Sequence, residues 1–282
     1  VTLKDNSVNA VLASYGLRLA HLHPASEIVA IQRAVFEHQL GWDRAQLEMR
    51  RGEKLSESEV LKVFLPLKRL ERGEPLQYVL GSVRFHGLEI HVAPGVLIPR
   101  PETEELVDLI IRSGEVPRCI VDIGTGSGVV ALALKQAFQG ARVVGIDSSE
   151  EALRVARANG ARLGLDVDWI LMDILSDQAR LPQQVDLVVS NPPYIPWSEA
   201  KGMSPHVRDQ EPAIALFVED TDPHRYYRRI AELARSSSTS LWFEGHHRSV
   251  VGAAEVVRAT GFGNTEVMND MSGSTRFIHA VR

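Results

Sequence analysis

Cys119-Ile120-Val121-Asp122-Ile123-Gly124-Thr125-Gly126-Ser127-Gly128 is the stretch on which the fold turns. Five residues rich in β-formers read as a buried strand, and three alternating glycines then let the backbone turn sharply into a helix that starts at Val129. A turn of this kind lets a ligand approach the backbone at a strand end. A dinucleotide fingerprint would need glycine at position 129, where Val129 stands. The plainer alternative is a tight strand–helix turn with no ligand.

Outward from this turn, strands and helices alternate. Candidate strands are Cys119–Ile123, Arg142–Asp147, Asp168–Met172, Val185–Ser190, Ser240–Glu244, Thr265–Asn269 and Arg276–Val281, with helices at Val129–Phe138, Glu150–Asn159, Arg225–Arg235 and Ser249–Thr260. That order predicts a mostly parallel sheet with helices on both faces. Only Asp270-Met271-Ser272-Gly273-Ser274 joins the last two strands. A parallel crossover needs a dozen or more residues, so this pair must be antiparallel. The expectation is an α/β, Rossmann-like sheet of seven strands with an antiparallel last strand.

The first third has helical spacing. Ser7–Leu19, a segment from Pro24 and Ser26 to Gly41, Asp43–Arg51 and a stretch from Ser56 to Gly73 predict four helices, with a kink at Pro66. Lys62, Lys68, Arg69 and Arg72 read as a solvated face, or else as a contact for an acidic partner. From Pro75 to Pro94 the period changes: Tyr78, Val79, Val83, Phe85, Leu88, Ile90 and Val92 around His86-Gly87 predict a β-hairpin. The expected organisation is a helical domain over 1–74, a hairpin linker over 75–95 and an α/β domain over 96–282.

Composition narrows the function classes. The 282 residues are 44% hydrophobic and 24% charged, with a net charge of -5, which disfavours coating nucleic acid by charge alone. The single cysteine, Cys119, excludes an internal disulfide framework, suits a reducing compartment and reads as a buried structural thiol. No apolar run is long enough to span a membrane. The polar Val1–Asn9 lacks a signal-peptide core, and the chain begins with Val as a trimmed chain would. His21-Leu22-His23 and His246-His247 lack a matching ligand set, so no metal is expected. Arg235-Ser236-Ser237-Ser238-Thr239-Ser240 reads as a short polar loop. A cytoplasmic monomer is the expectation.

Two further strand ends carry chemistry. Asp147 lies about 20 residues beyond the glycine turn and could accept both ribose hydroxyls of an adenosine cofactor, or else begin the next helix. Asp173 with Ile174 could reach the adenine edge and face. Asn191-Pro192-Pro193-Tyr194 follows the strand Val185–Ser190. Neither proline has an N–H, so the Asn191 side-chain oxygen and the Pro192 carbonyl form a rigid row of acceptors suited to a substrate –NH2 group. A proline-rich turn without function is the alternative. Two prolines flanking Arg100 hold the backbone extended and aim that side chain.

The glycine turn, Asp147 and Asn-Pro-Pro-Tyr together resemble the class I S-adenosylmethionine-dependent methyltransferases that act on planar –NH2 nitrogens of adenine, guanine or protein glutamine. Gly73-Glu74-Pro75-Leu76-Gln77-Tyr78-Val79-Leu80-Gly81, Phe85-His86-Gly87, Val96-Leu97-Ile98-Pro99-Arg100-Pro101-Glu102-Thr103-Glu104 and Glu211-Pro212-Ala213-Ile214-Ala215-Leu216 resemble the peptide chain release factor glutamine methyltransferases. The segments Phe217–Pro223 and Ser272–Arg276 depart from that family's pattern. The resemblance implies S-adenosylmethionine as cofactor and the glutamine of the Gly-Gly-Gln motif of class I release factors as substrate. By position, Gly124, Thr125, Gly126, Ser127, Gly128, Asp147, Asp173, Ile174 and Asn191 would bind the cofactor. Asn191, Pro192 and Tyr194 would be catalytic, and Asn191, Pro192, Pro193, Tyr194 and Arg100 would meet the substrate. No direct nucleic-acid contact is expected. A nucleic-acid amino-methyltransferase and a silent adenosine-binding scaffold are the rivals.

Overall fold

The structure, a computed structural model, describes residues 5–235 and 239–282. Val1 to Lys4 and the Ser236–Ser238 part of the expected polar loop lie outside the described residues. Two compact units divide the chain between Ser82 and Val83.

The first unit is helical: α1 (Val8–Leu19), α2 (Ala25–Leu40), α3 (Arg44–Met49), α4 (Glu57–Leu70) and α5 (Leu76–Leu80). Capping boxes at Asp43 and Ser56 satisfy the first N–H groups of α3 and α4, and left-handed Gly41 ends α2. Val8, Val11, Tyr15, Val35, Phe36, Val63 and Leu67 are buried in one core. Helix α4 runs through Pro66, which is buried. One turn earlier, the Tyr15 hydroxyl donates to the Val63 carbonyl at 2.5 Å.

The hairpin is shorter than the periodicity predicts. Tyr78 and Val79 lie in α5, because Leu76, Val79 and Leu80 pack on the helical core and Gly81 closes the turn at φ 78°. Burial overrides β-propensity here. Arg69 also departs from a solvated role: its guanidinium donates to the Tyr78 and Val79 carbonyls, each at 3.1 Å, and pairs with Glu74. Both carbonyls belong to the last turn of α5.

The hairpin itself is β1 (Ser82–Phe85) and β2 (Leu88–His91), turning through His86 and Gly87 at positive φ. After it come α6 (Pro101–Arg112), β3 (Cys119–Ile123), α7 (Val129–Ala137), β4 (Arg142–Asp147), α8 (Glu150–Leu163), β5 (Asp168–Leu171) and β6 (Leu187–Ser190). Between β6 and the next sheet strand lie β7 (Ile195–Pro196), a 3-10 turn at Trp197–Gly202, α9 (Pro205–Arg208), α10 (Ala213–Leu216), β8 (Phe217–Val218) and α11 (Arg225–Ala234). The chain ends with β9 (Ser240–Glu244), α12 (Val250–Ala259), β10 (Asn264–Asn269) and β11 (Thr275–Val281).

The seven-stranded order is β10-β11-β9-β6-β3-β4-β5. Strands β3, β4, β5, β6 and β9 pair parallel, while β11 runs antiparallel to both β9 and β10. The expected α/β, Rossmann-like architecture is therefore present. Strand β3 lies between β6 and β4, and the chain leaves it first towards β4 and β5 and later returns on the β6 side. The carboxyl ends of β3, β4 and β6 thus flank a topological switch point, where open α/β sheets form a crevice. Cys119 is a free thiol, 8% exposed, and burial raises its pKa above the ordinary thiol value.

Candidate active site

That crevice holds a cavity of about 370 Å³, lined by Gly124 and Gly126 after β3, Asp147 after β4, Asp173 and Ile174 after β5, and Asn191, Pro192 and Pro193 after β6. The structure thus gathers most of the expected site residues around one space.

Three left-handed glycines, Gly124, Gly126 and Gly128 at φ 74°, 56° and 85°, make the turn after β3. Its shape is held from two sides. The N–H groups of Gly124 and Thr125 both donate to the Ile146 carbonyl, at 2.8 and 3.0 Å. Asp122, fully buried, accepts from the Thr125 hydroxyl at 2.6 Å and from the Ala131 N–H at 3.1 Å. Burial pushes the Asp122 carboxyl up to about 7, against the pull of those two donors. Thr125 and Ser127 are buried in the loop.

Asp147 accepts from the Gly126 N–H and the Ser149 N–H, each at 2.9 Å, and burial raises its pKa. Ser149, rather than Asp147, is the N-cap of α8. Each Asp147 oxygen retains lone pairs for further donors. Asp173 accepts from the Leu175 N–H at 2.9 Å, which fixes the turn that brings Ile174 to the wall.

At the β6 end, the Ser190 hydroxyl donates to the Ile123 carbonyl at 2.7 Å and ties the two strand ends together. Asn191 Nδ2 donates to Thr103 Oγ1 at 3.1 Å, and Thr103 Oγ1 donates to Glu244 Oε2 at 2.7 Å. Among the described residues, no hydrogen bond occupies Asn191 Oδ1. Tyr194 lies outside the cavity wall: its hydroxyl donates to Glu244 Oε1 at 3.3 Å, and burial and the Glu244 charge raise its pKa. Tyr194, expected in the substrate site, thus turns its hydroxyl inward to Glu244. Arg100 is likewise engaged elsewhere, with Glu211, at 2.5 Å. Glu211 is buried and also accepts from the Ile98 N–H at 3.0 Å.

Asp122, Thr103 and Glu244 were not singled out from the sequence. Thr103 lies inside the Val96–Glu104 stretch that carries part of the family resemblance, and Asp122 opens the glycine turn. Glu244 ends β9 and belongs to no motif; the β6–β9 pairing, which sets Ser190 opposite Phe243, brings it to the Asn191 end of β6. Among the described residues, no group of three or more His, Cys, Asp or Glu side chains could hold a metal.

The sheet order, the glycine turn and the acceptor row after β6 define a Rossmann-like methyltransferase. A family model described as "Methyltransferase domain" matches residues 120–208, and one described as "PrmC N-terminal domain" matches residues 11–81. Release factor glutamine methyltransferases from Bacteroides thetaiotaomicron and Flavobacterium psychrophilum are each 37% identical, covering 98% and 92% of this chain and 100% and 94% of their own length. The protein of that name from Bacillus subtilis is 34% identical over 86% of this chain and 87% of its own. The chain belongs to the release factor glutamine methyltransferase family. Among solved structures, the hMettl16 catalytic domain in complex with MAT2A 3'UTR hairpin 1 has a TM-score of 0.52, with 17% identity over 89% of this chain and 90% of that one. The T. thermophilus 16S rRNA N2 G1207 methyltransferase has a TM-score of 0.51, with 17% identity over 71% of this chain and 49% of that one. These two share the fold.

Proposed function

We propose that this protein transfers a methyl group from S-adenosylmethionine to the side-chain amide nitrogen of the glutamine in the Gly-Gly-Gln motif of class I release factors. The observation that carries this reading is the fixed Asn191 amide, whose Nδ2 faces Thr103 and whose Oδ1 is left to the cavity.

The residues present fit the cofactor. A Cβ on Gly126 would meet nothing within 4 Å, so its backbone borders open space, and the nearest atom to a Cβ on Gly124 is the Asn191 carbonyl at 3.9 Å. Gly124 and Gly126 would hold the cofactor's polar portion by close backbone approach, while Gly128 packs behind the turn, where a Cβ would lie 2.8 Å from Trp169. Asp147 would accept from the ribose hydroxyls, and Asp173 and Ile174 would border the adenine. When bound, S-adenosylmethionine supplies an electrophilic methyl with a neutral leaving group.

The chain's own task is positioning. An amide nitrogen is a poor nucleophile, because its lone pair is delocalised into the carbonyl. Asn191 Oδ1 and the Pro192 carbonyl would accept its two N–H groups and turn the nitrogen face towards the cofactor. Such orientation can supply several kcal/mol of barrier lowering. The same acceptors would stabilise positive charge as it develops on nitrogen. The methylated nitrogen then releases its proton to water, so no His or Cys base is required. Tyr194 would act as a pedestal under the motif, and Arg100, through Glu211, as a brace for the Ile98 turn.

Among the described residues no helix is long and apolar enough to cross a membrane. A substrate from the translation machinery supports action in the cytoplasm; that the chain acts as a monomer, without direct nucleic-acid contact, is part of the same proposal. Incubation with S-adenosylmethionine and a recombinant release factor tests the reading by peptide mass spectrometry. Methyl on RNA or DNA instead of on the Gly-Gly-Gln peptide would favour the nucleic-acid rival.

A further inference from the structure

We propose that Thr103 and Glu244 form a polarity relay that keeps the Asn191 carbonyl oxygen, and not its NH2, facing the substrate amide. The inference rests on the glutamine methyl transfer proposed above and makes Thr103 and Glu244 positioning residues for it.

The argument follows from what each group can donate. An asparagine amide is nearly symmetric in shape, and only its hydrogen bonds decide which end faces a site. An ionised carboxylate can only accept. Glu244 Oε2, 2.7 Å from Thr103 Oγ1, therefore takes the single threonine proton. Thr103 Oγ1 has only lone pairs left for Asn191, which must present Nδ2 to it. Oδ1 then faces the cavity.

The relay is buried and braced. Thr103 is 4% exposed and Glu244 1%. The Tyr194 hydroxyl donates to Glu244 Oε1 at 3.3 Å, and the Tyr227 hydroxyl donates to the Glu244 main-chain carbonyl at 3.0 Å. Three elements and the motif loop supply the surrounding groups. Arg276 on β11 favours the charged carboxylate, Glu102 on α6 opposes it, and Tyr194 in the motif loop and Tyr227 on α11 contribute hydroxyls. Burial is the largest influence and pushes Glu244 up to about 7. A protonated Glu244 can donate to Thr103 Oγ1. The threonine proton is then free to turn to Asn191, which would accept it through Oδ1 and present Nδ2 to the substrate. Two donors would face two donors, and turnover would stop. Neither the substrate amide nor Asn191 titrates in this range.

The test compares the full-length enzyme with Thr103→Val, Thr103→Ser and Glu244→Gln, at saturating cofactor, on a recombinant class I release factor. Thr103→Val should lower kcat roughly 100-fold, the scale of losing one oriented polar group, with cofactor affinity by calorimetry unchanged. Thr103→Ser keeps the hydroxyl and should restore kcat to within a few-fold. The ratio of wild-type to Glu244→Gln kcat should fall as pH drops through about 7, and the same fall should persist in Thr103→Ser; Asp122, pushed into the same range, is common to all of them and cancels in the ratio. Wild-type kcat in Thr103→Val, or a wild-type to Glu244→Gln ratio that does not change with pH, would overturn the relay. A second readout needs no substrate: in protein labelled with ¹⁵N-asparagine, the Asn191 side-chain NH2, assigned with Asn191→Ala, should exchange slowly and lose that protection in Thr103→Val. Equal exchange rates in both would also overturn it. A wild-type enzyme that leaves the release factor unmethylated would refute the proposed substrate, while the exchange measurement still decides the relay.

Discussion

At the scale of single residues, two side chains carry most of the consequences. Asn191→Ala removes the oriented acceptor and leaves the glycine turn and Asp147 in place. Turnover should fall by roughly 10²–10³-fold, while calorimetric cofactor binding persists; loss of both together would mean that Asn191 holds the cofactor alone. Glu244 is the second. Its folded-state pKa of about 7 lies above the ordinary 4.5, because burial penalises the charge. The folded protein therefore binds the proton more tightly than the unfolded chain. The resulting stability is fully present below about 4.5 and disappears as pH rises through about 7. Between those limits, wild type should lose on the order of 3 kcal/mol relative to Glu244→Gln. Urea unfolding of both proteins at the two pH values measures this, and a pH-independent difference would contradict the buried carboxylate. Asp122 shifts in the same direction but is common to both proteins, so its contribution cancels.

At the scale of elements, the glycine turn depends on β4 and β5 as much as on its own glycines. Trp169 of β5 pairs in register with Gly145 of β4, and its ring fills the space above that glycine. A Cβ on Gly145 would lie 2.4 Å from Trp169 Cζ3 and 3.1 Å from Thr125 Oγ1. Gly145→Ala should destabilise the fold by about 1–3 kcal/mol through overpacking and weaken cofactor binding by displacing Thr125; thermal unfolding and calorimetry together check it. In the helical unit, Arg69→Met keeps the aliphatic stem but removes the donor to the Tyr78 and Val79 carbonyls. Loss of the Val79 contact should cost about 1–3 kcal/mol in denaturant unfolding, and a change near zero would return Arg69 to the solvated face. Such effects explain what the sequence could and could not reveal. The strands and the motif ends were legible, because buried β-formers and glycines answer to local rules. Helix α5 was not, because Tyr78 and Val79 favour strands in isolation and only the core they meet decides otherwise. The β7–β8 pair was missed too, since two-residue strands have no periodicity.

At the scale of the whole molecule, sheet order is what assembles the site. Asp122, Asp147, Asn191 and Glu244 are dispersed through the sequence, and the parallel pairings of β3 with β4 and β6, and of β6 with β9, bring their strand ends into one row. The sequence showed Asp147 and Asn191, whose motifs lie beside them. It did not show Glu244, which has no motif and acquires its role only through the β6–β9 pairing and the Thr103 hydroxyl of α6. Tyr194 and Arg100 were placed by analogy of position, and their partners, Glu244 and Glu211, became visible only in three dimensions. The central claim is that this row methylates a protein glutamine. The most direct measurement incubates the full chain with S-adenosylmethionine and a recombinant class I release factor, then maps the product by tandem mass spectrometry. The account predicts one methyl on the side-chain nitrogen of the Gly-Gly-Gln glutamine, lost with Asn191→Ala. An unmodified Gly-Gly-Gln peptide, from an enzyme shown by calorimetry to bind the cofactor, would contradict it.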